Sequence, residues 1–122
     1  MTSITAIEEP QVVDITIVKG NSFNRTIEIE DDDGTPTDLS SFDAVGQLWD
    51  DESLEVLANF SIPSLGSDGK IPLLLKVSDT SGLKATTAKW SLTLVAKTNP
   101  DFSSTTIIVG NAEIKVAYLP PG

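Results

Sequence analysis

Apolar and polar residues alternate along most of this chain. Val13, Ile15 and Ile17 are separated by Asp14 and Thr16, and the run ends at Lys19-Gly20. Phe23, Arg25, Ile27 and Ile29 are interleaved with Asn24, Thr26, Glu28 and Glu30. A period of two sends successive side chains to opposite faces of a strand, so each run predicts a strand with one buried face. The same reading covers Asp43 to Asp50, Leu54 to Ile62, Ile71 to Val77 and Trp90 to Ala96. Thr105 to Tyr118 is long for one strand, and Gly110-Asn111 near its middle predicts a bulge or a two-residue hairpin turn. Turn chemistry separates the runs: Asp31-Asp32-Asp33-Gly34, Asp50-Asp51-Glu52-Ser53, Pro63 to Gly69 and Asn99-Pro100-Asp101. Ser78 to Ser81 predicts a single helical turn that Gly82 stops.

No segment sustains a 3.6-residue period. Seven or eight strands at roughly ten-residue spacing predict an all-β fold, an antiparallel β-sandwich of immunoglobulin-like architecture. A small closed barrel is the structural alternative. The Cys…Trp…Cys pattern of antibody domains is missing, so the expectation concerns architecture alone. One sandwich domain is expected over residues 11–118, with an N-terminal arm over 1–10 that ends in Pro10 and a tail over 119–122. The tail reads Leu119-Pro120-Pro121-Gly122, which favours an extended conformation over further pairing.

Composition narrows the chemistry. With 122 residues and 39% hydrophobic content, the chain can bury one core. It has no cysteine, which removes disulfides, thiolate metal sites and thiol nucleophiles. It has no histidine, which removes the commonest general base and transition-metal ligand. Eighteen acids against eight bases give a formal charge of −10. Such a surface repels nucleic-acid phosphates and anionic membranes, so neither is an expected partner. No apolar run approaches the ~20 residues of a membrane-spanning helix. Residues 1–10 lack a basic stretch followed by an apolar one, so no secretory signal is expected and the protein is expected to be made in a cytoplasm.

The remaining candidates for chemistry are carboxylates and tryptophans. Asp31, Asp32, Asp33 and Asp38 form one acidic group; Asp50, Asp51 and Glu52 form another. Neither has the spacing of an EF-hand loop, and consecutive turn residues point in different directions, so solvated turn acids are expected; a weak calcium site across the two turns is the alternative. The acids sit on turns and outward strand faces with few aromatics around them, which argues against a glycosidase cleft. The lysines are scattered, and Gly66-Ser67-Asp68-Gly69 is turn chemistry rather than a phosphate loop. No catalytic, cofactor or metal site is expected. Trp49 and Trp90 lie in strands and suit core anchoring, although an exposed Trp49 would instead serve an interface.

Five pieces of the chain, in order, carry a resemblance. Ile15 to Thr26 has the pattern strand, Lys19-Gly20-Asn21, Ser22-Phe23, strand. Asp33-Gly34-Thr35-Pro36-Thr37-Asp38-Leu39-Ser40-Ser41-Phe42 follows, then Ser78-Asp79-Thr80 with Leu83, then Ala88-Lys89-Trp90-Ser91-Leu92, and finally Gly110 before the last strand. Over residues 12–118 this resembles the small β-sandwich proteins of tailed-phage virions: the N-terminal domain of baseplate upper proteins and stand-alone virion structural proteins. The resemblance implies an adaptor without catalysis, located in the virion after assembly in the host cytoplasm. Its implied partners are other virion proteins, either major capsid or tail and baseplate proteins, in a homo-oligomer or symmetric array. A capsid decoration (cement) protein is the expected role, a tail or baseplate adaptor the alternative. By the same resemblance Gly20 and Gly34 serve turns, while Leu39 and Phe42 plug the sandwich end. The expected partner-binding residues are Ile4 and Ile7 of the arm, Trp49, and Leu119 of the tail. Carbohydrate-binding and calcium-stabilised adhesion sandwiches remain as readings from other classes.

Overall fold

The computed structural model describes residues 2–4, 10–84, 87–98 and 104–116, the first three by backbone alone. The strands are β1 (Thr2–Ile4), β2 (Gln11–Val12), β3 (Ile15–Lys19), β4 (Phe23–Ile29), β5 (Phe42–Asp50), β6 (Val56–Asn59), β7 (Lys70–Leu75), β8 (Thr87–Ala96) and β9 (Thr105–Val116). One helical turn, α1 (Val77–Ser81), stands between β7 and β8. A three-stranded sheet has the order β1-β4-β7 and a six-stranded sheet the order β2-β9-β8-β5-β6, with β3 also paired to β9. The all-β sandwich expected from the alternation is therefore the fold, and its two sheets divide the strands in the immunoglobulin manner.

Inward side chains follow the period of two. Ile27, Ile29, Ile71, Leu73 and Leu75 come from the smaller sheet. Ile15, Ile17, Leu48, Trp90, Leu92, Ile108 and Ile114 come from the larger one, and the two sets meet as the core. Trp90 is fully buried and stands edge-on to Phe60, their ring centroids 6.0 Å apart. Phe60 in turn lies 5.8 Å from Phe23. Leu39 is buried in the core, its amide donating to the Gly66 carbonyl at 2.9 Å. Gly20 and Gly34 adopt φ of 88° and 87°, as turns of this kind require.

Direction and length differ from the sequence expectation in several places. β1 runs parallel to β4, and both β2 and β3 run parallel to β9. Alternation says which face of a strand is buried but not which neighbour it takes, so parallel edges leave no mark in the pattern. The first alternating run also splits at Val13-Asp14. There the Val13 carbonyl accepts the Trp90 indole N–H at 2.7 Å, and the Asp14 carboxylate accepts the Asn111 amide at 3.0 Å. The edge strand thus crosses directly over Gly110, where a Cβ would sit 1.8 Å from the Val13 carbonyl oxygen.

Gly110 is accordingly neither a bulge nor a hairpin turn; β9 is continuous. The irregularity lies two to three residues earlier. Leu92 pairs with Ile108 and Thr93 with Thr106, which leaves Ile107 as the extra residue. The run from Leu54 to Ile62 yields only the short β6, because Leu54 turns the chain with φ of 62° and Ser61 leaves for the other sheet. Ser61 and Leu74 exchange backbone hydrogen bonds of 2.8 and 3.1 Å, lacing the segment after β6 to the edge of β7 away from β4. Pro72 has the same parity as Leu74, so its missing N–H falls on that side as well, where an edge is best interrupted.

α1 begins after Lys76 rather than at Ser78. The Asp79 carboxylate accepts the Lys76 amide at 3.0 Å, and Gly82 ends the turn in a right-handed conformation. Thr80 is buried and ties this corner to the β3–β4 turn. Its hydroxyl accepts from the Gly20 amide at 3.1 Å and donates to the Asn21 carbonyl at 2.8 Å.

Candidate functional site

Of the four residues expected to bind partners, the two described ones lie in different sheets. Ile4 ends β1, opposite Ile29 in the three-stranded sheet. Trp49 lies in β5 of the six-stranded sheet. Ile7 and Leu119 fall outside the described residues. Of the two tryptophans, Trp90 is the core anchor; Trp49 is half-buried and points outward, so the core reading holds for one and fails for the other. Leu48 already fills the inward position, and the next residue along a strand must face away.

Trp49 belongs to a wider surface on the outer face of the six-stranded sheet. Strand register places it beside Val56 on one side and Lys89 on the other, with Asn111 beyond. The next row is Asn59, Gln47, Ser91, Val109 and Val12. A third row holds Val45, Thr93 and Thr106. Val12, Val45 and Val56 are exposed by 75%, 44% and 52%, an unusual density of apolar side chains for a chain this acidic. Polar members pair laterally: Gln47 Nε2 donates to Asn59 Oδ1 at 3.1 Å, Lys89 Nζ to Asn111 Oδ1 at 2.7 Å, and the Thr93 and Thr106 hydroxyls stand 2.9 Å apart. A shallow depression of about 270 Å³ runs between Val12, Trp49, Lys89 and Val109. Sequence reading found Trp49 but missed the valines around it. The signal was present: between Asp43 and Lys89, the outward positions of β5 and β8 are Val45, Gln47, Trp49, Ser91, Thr93 and Val95, uncharged where a solvated face would carry more charges.

Asp33, Asp38 and Asp50, from the two acidic groups, are engaged within their own turns. Asp33 Oδ1 accepts from the Thr35 hydroxyl at 2.6 Å and its amide at 3.0 Å. Asp38 Oδ1 accepts from the Ser40 hydroxyl at 2.6 Å and its amide at 2.9 Å. Asp50 Oδ1 accepts from the Glu52 and Ser53 amides at 2.8 and 3.0 Å. Among the described residues no three carboxylates are grouped to hold a metal ion. None of the described helices is long and apolar enough to cross a membrane.

These bonds set a pH dependence. Hydrogen bonds from Thr35, from Ser40 and from the Ser53 and Glu52 amides hold Asp33, Asp38 and Asp50 below the ordinary aspartate value. A carboxyl whose folded value is depressed stabilises the fold above its unfolded value, and that contribution is lost as pH falls through the folded value. The window therefore opens near pH 4 and extends downward. Carbon-detected NMR titration should show these three side chains protonating below that point; midpoints above it would contradict the turn geometry.

No family model matches the chain, and no curated protein matches it. Among solved structures it is similar to the N-terminal domain of phage TP901-1 ORF48, with a TM-score of 0.56 and 12% sequence identity. The match covers 93% of this chain and 94% of that one. At that identity the likeness shows a shared fold from end to end.

Proposed function

We propose that the chain is a non-enzymatic structural protein of a tailed-phage virion, acting by adhesion to neighbouring subunits. The observation that carries this reading is the domain-long likeness to a phage protein's N-terminal domain. The sequence pattern over residues 12–118 supports it independently. The described residues also provide what an adhesive module needs: a well-packed sandwich and an outer sheet face with few charges.

Capsid decoration is the role we favour, with many copies bridging capsid subunits so that small interfaces add through effective concentration. A tail or baseplate adaptor is the second reading, and the solved neighbour, a phage N-terminal domain, supports it equally well. The arm over residues 1–10 and the tail over 119–122 would supply further contacts through Ile4, Ile7 and Leu119.

Heads and tails of the phage that encodes the chain can be separated on a gradient and probed with an antibody against it. Recovery with heads supports decoration; recovery with tails supports the adaptor. Absence from both fractions ends the virion reading. If the −10 charge meets a basic patch on the larger partner, raising salt from about 0.05 to about 0.5 M should release the chain from particles. Attachment that is indifferent to salt would remove the electrostatic part while leaving the location intact.

A further inference from the structure

We infer that the outer face of the six-stranded sheet is a self-complementary surface through which two copies of this chain pair, sheet against sheet. The inference stands on the face itself and not on the location of the chain in a particle.

Charge is the first reason. The chain carries −10, so two copies repel each other wherever acidic surfaces meet. The three rows of residues centred on Gln47 and Ser91 contain a single charge, Lys89, whose ammonium donates to Asn111 Oδ1 at 2.7 Å and lies 3.9 Å from the Asp51 carboxylate. Acids stand at the margins: Asp14 beside Asn111, Asp51 beside Lys89, and Asp43 and Glu113 beyond the outer rows. The outer positions of the smaller sheet, by contrast, include Glu28 and Lys70.

The polar groups supply the second reason. Gln47, Asn59, Ser91, Thr93, Thr106 and Asn111 each both donate and accept hydrogen bonds. A second copy of the same face can therefore satisfy them, which a face of carboxylates could not do for itself. A partner chosen by charge would instead call for carboxylates within the rows.

Size sets the strength. Five strands at about 4.8 Å spacing and three rows of outward residues span roughly 20 by 20 Å, or about 400 Å² on each copy. The total, near 800 Å², falls short of the ~1,200 Å² at which stable interfaces begin and belongs with weak, transient contacts. A weak, reversible dimer is expected rather than a permanent one. Edge pairing is a poorer route, because β6 is short and Pro72 interrupts the outer side of β7.

Sedimentation velocity on the full chain, from about 10 µM to about 1 mM, tests this. The sedimentation coefficient should rise with concentration. Higher salt should strengthen pairing several-fold, since it screens the acidic margins while leaving the apolar centre unaffected. Trp49→Glu and, separately, the milder Val45→Lys should each weaken pairing at least about tenfold. Asn24→Lys, on the outer face of the other sheet, should leave it unchanged. Circular dichroism of each variant establishes that it is folded. A chain that stays monomeric throughout, a dimer indifferent to both face variants, or pairing that weakens with salt would overturn the inference. Each of those results would leave the particle-level reading standing, and absence from particles would leave this one standing.

Discussion

Gly110→Ala should cost about 3 kcal/mol of stability and lower the melting temperature by about 10 °C. The methyl group would arrive 1.8 Å from the Val13 carbonyl oxygen and 2.9 Å from the Trp90 indole nitrogen. The obstacle is backbone, so no rotamer change relieves it. Either the β2–β3 edge lifts off β9 or the centre of the sheet deforms. Lifting the edge breaks the 2.7 Å bond from Trp90 Nε1 to Val13, leaving a buried donor unpaired at the heart of the core. It also strips cover from Ile15 and Ile17. Hydrogen exchange should localise the damage, with amides of Ile15–Lys19 losing protection before those of β5 and β8. A variant melting within about 2 °C of the parent would mean the edge does not cross over this residue.

Thr80→Val should cost about 2 kcal/mol. Valine keeps the shape of threonine but leaves the Gly20 amide and the Asn21 carbonyl without their partner in a partly buried corner. Thr80→Ser keeps the hydroxyl and should cost less than about 1 kcal/mol, the loss of a methyl group. Urea unfolding distinguishes the two, with a lower midpoint for valine at an unchanged slope. If serine proves as damaging as valine, packing of the methyl group rather than the hydroxyl holds α1 against the β3–β4 turn.

Neither residue announced its weight in the sequence. Gly110 was visible as a glycine in an apolar run, but its reason is a chain segment 97 residues earlier in sequence, as the Asp14–Asn111 bond shows. Thr80 read as one of several small polar residues in a helical turn, and its partners lie 59 and 60 residues away. What alternation does specify is the inward set of most runs; it fails at Leu54 and Val56, which are exposed. Ile15, Ile17, Ile27, Ile29, Leu48, Leu73, Leu92 and Leu94 are all buried, and the runs holding them gave strands within a few residues of their ends. Strand direction, the split at Val13-Asp14 and the early end of β6 depend on partners that pattern alone does not reveal.

The candidate surface was half legible for a related reason. Aromatic residues draw notice singly, so Trp49 stood out while Val12, Val45, Val56 and Val109 passed as ordinary strand formers. Only lateral register brings residues from separate strands into one patch, and register is a property of the assembled sheet. The acids show the converse. Their clustering drew notice, yet each of Asp33, Asp38 and Asp50 is explained by hydrogen bonds within a few residues of itself.

The parallel pairing of β2 and β3 with β9 also orders events in time. A ribosome releases residues 11–19 long before residues 108–116, which are their only sheet neighbours among the described residues. Joining segments so far apart costs little more entropy than closing a shorter loop, but it must wait until residues 108–116 have been made. Until then Ile15 and Ile17 have no sheet to cover, and Asp14, Thr16 and Lys19 keep that waiting stretch wettable. The nascent domain is completed only when its final strand draws its beginning into place.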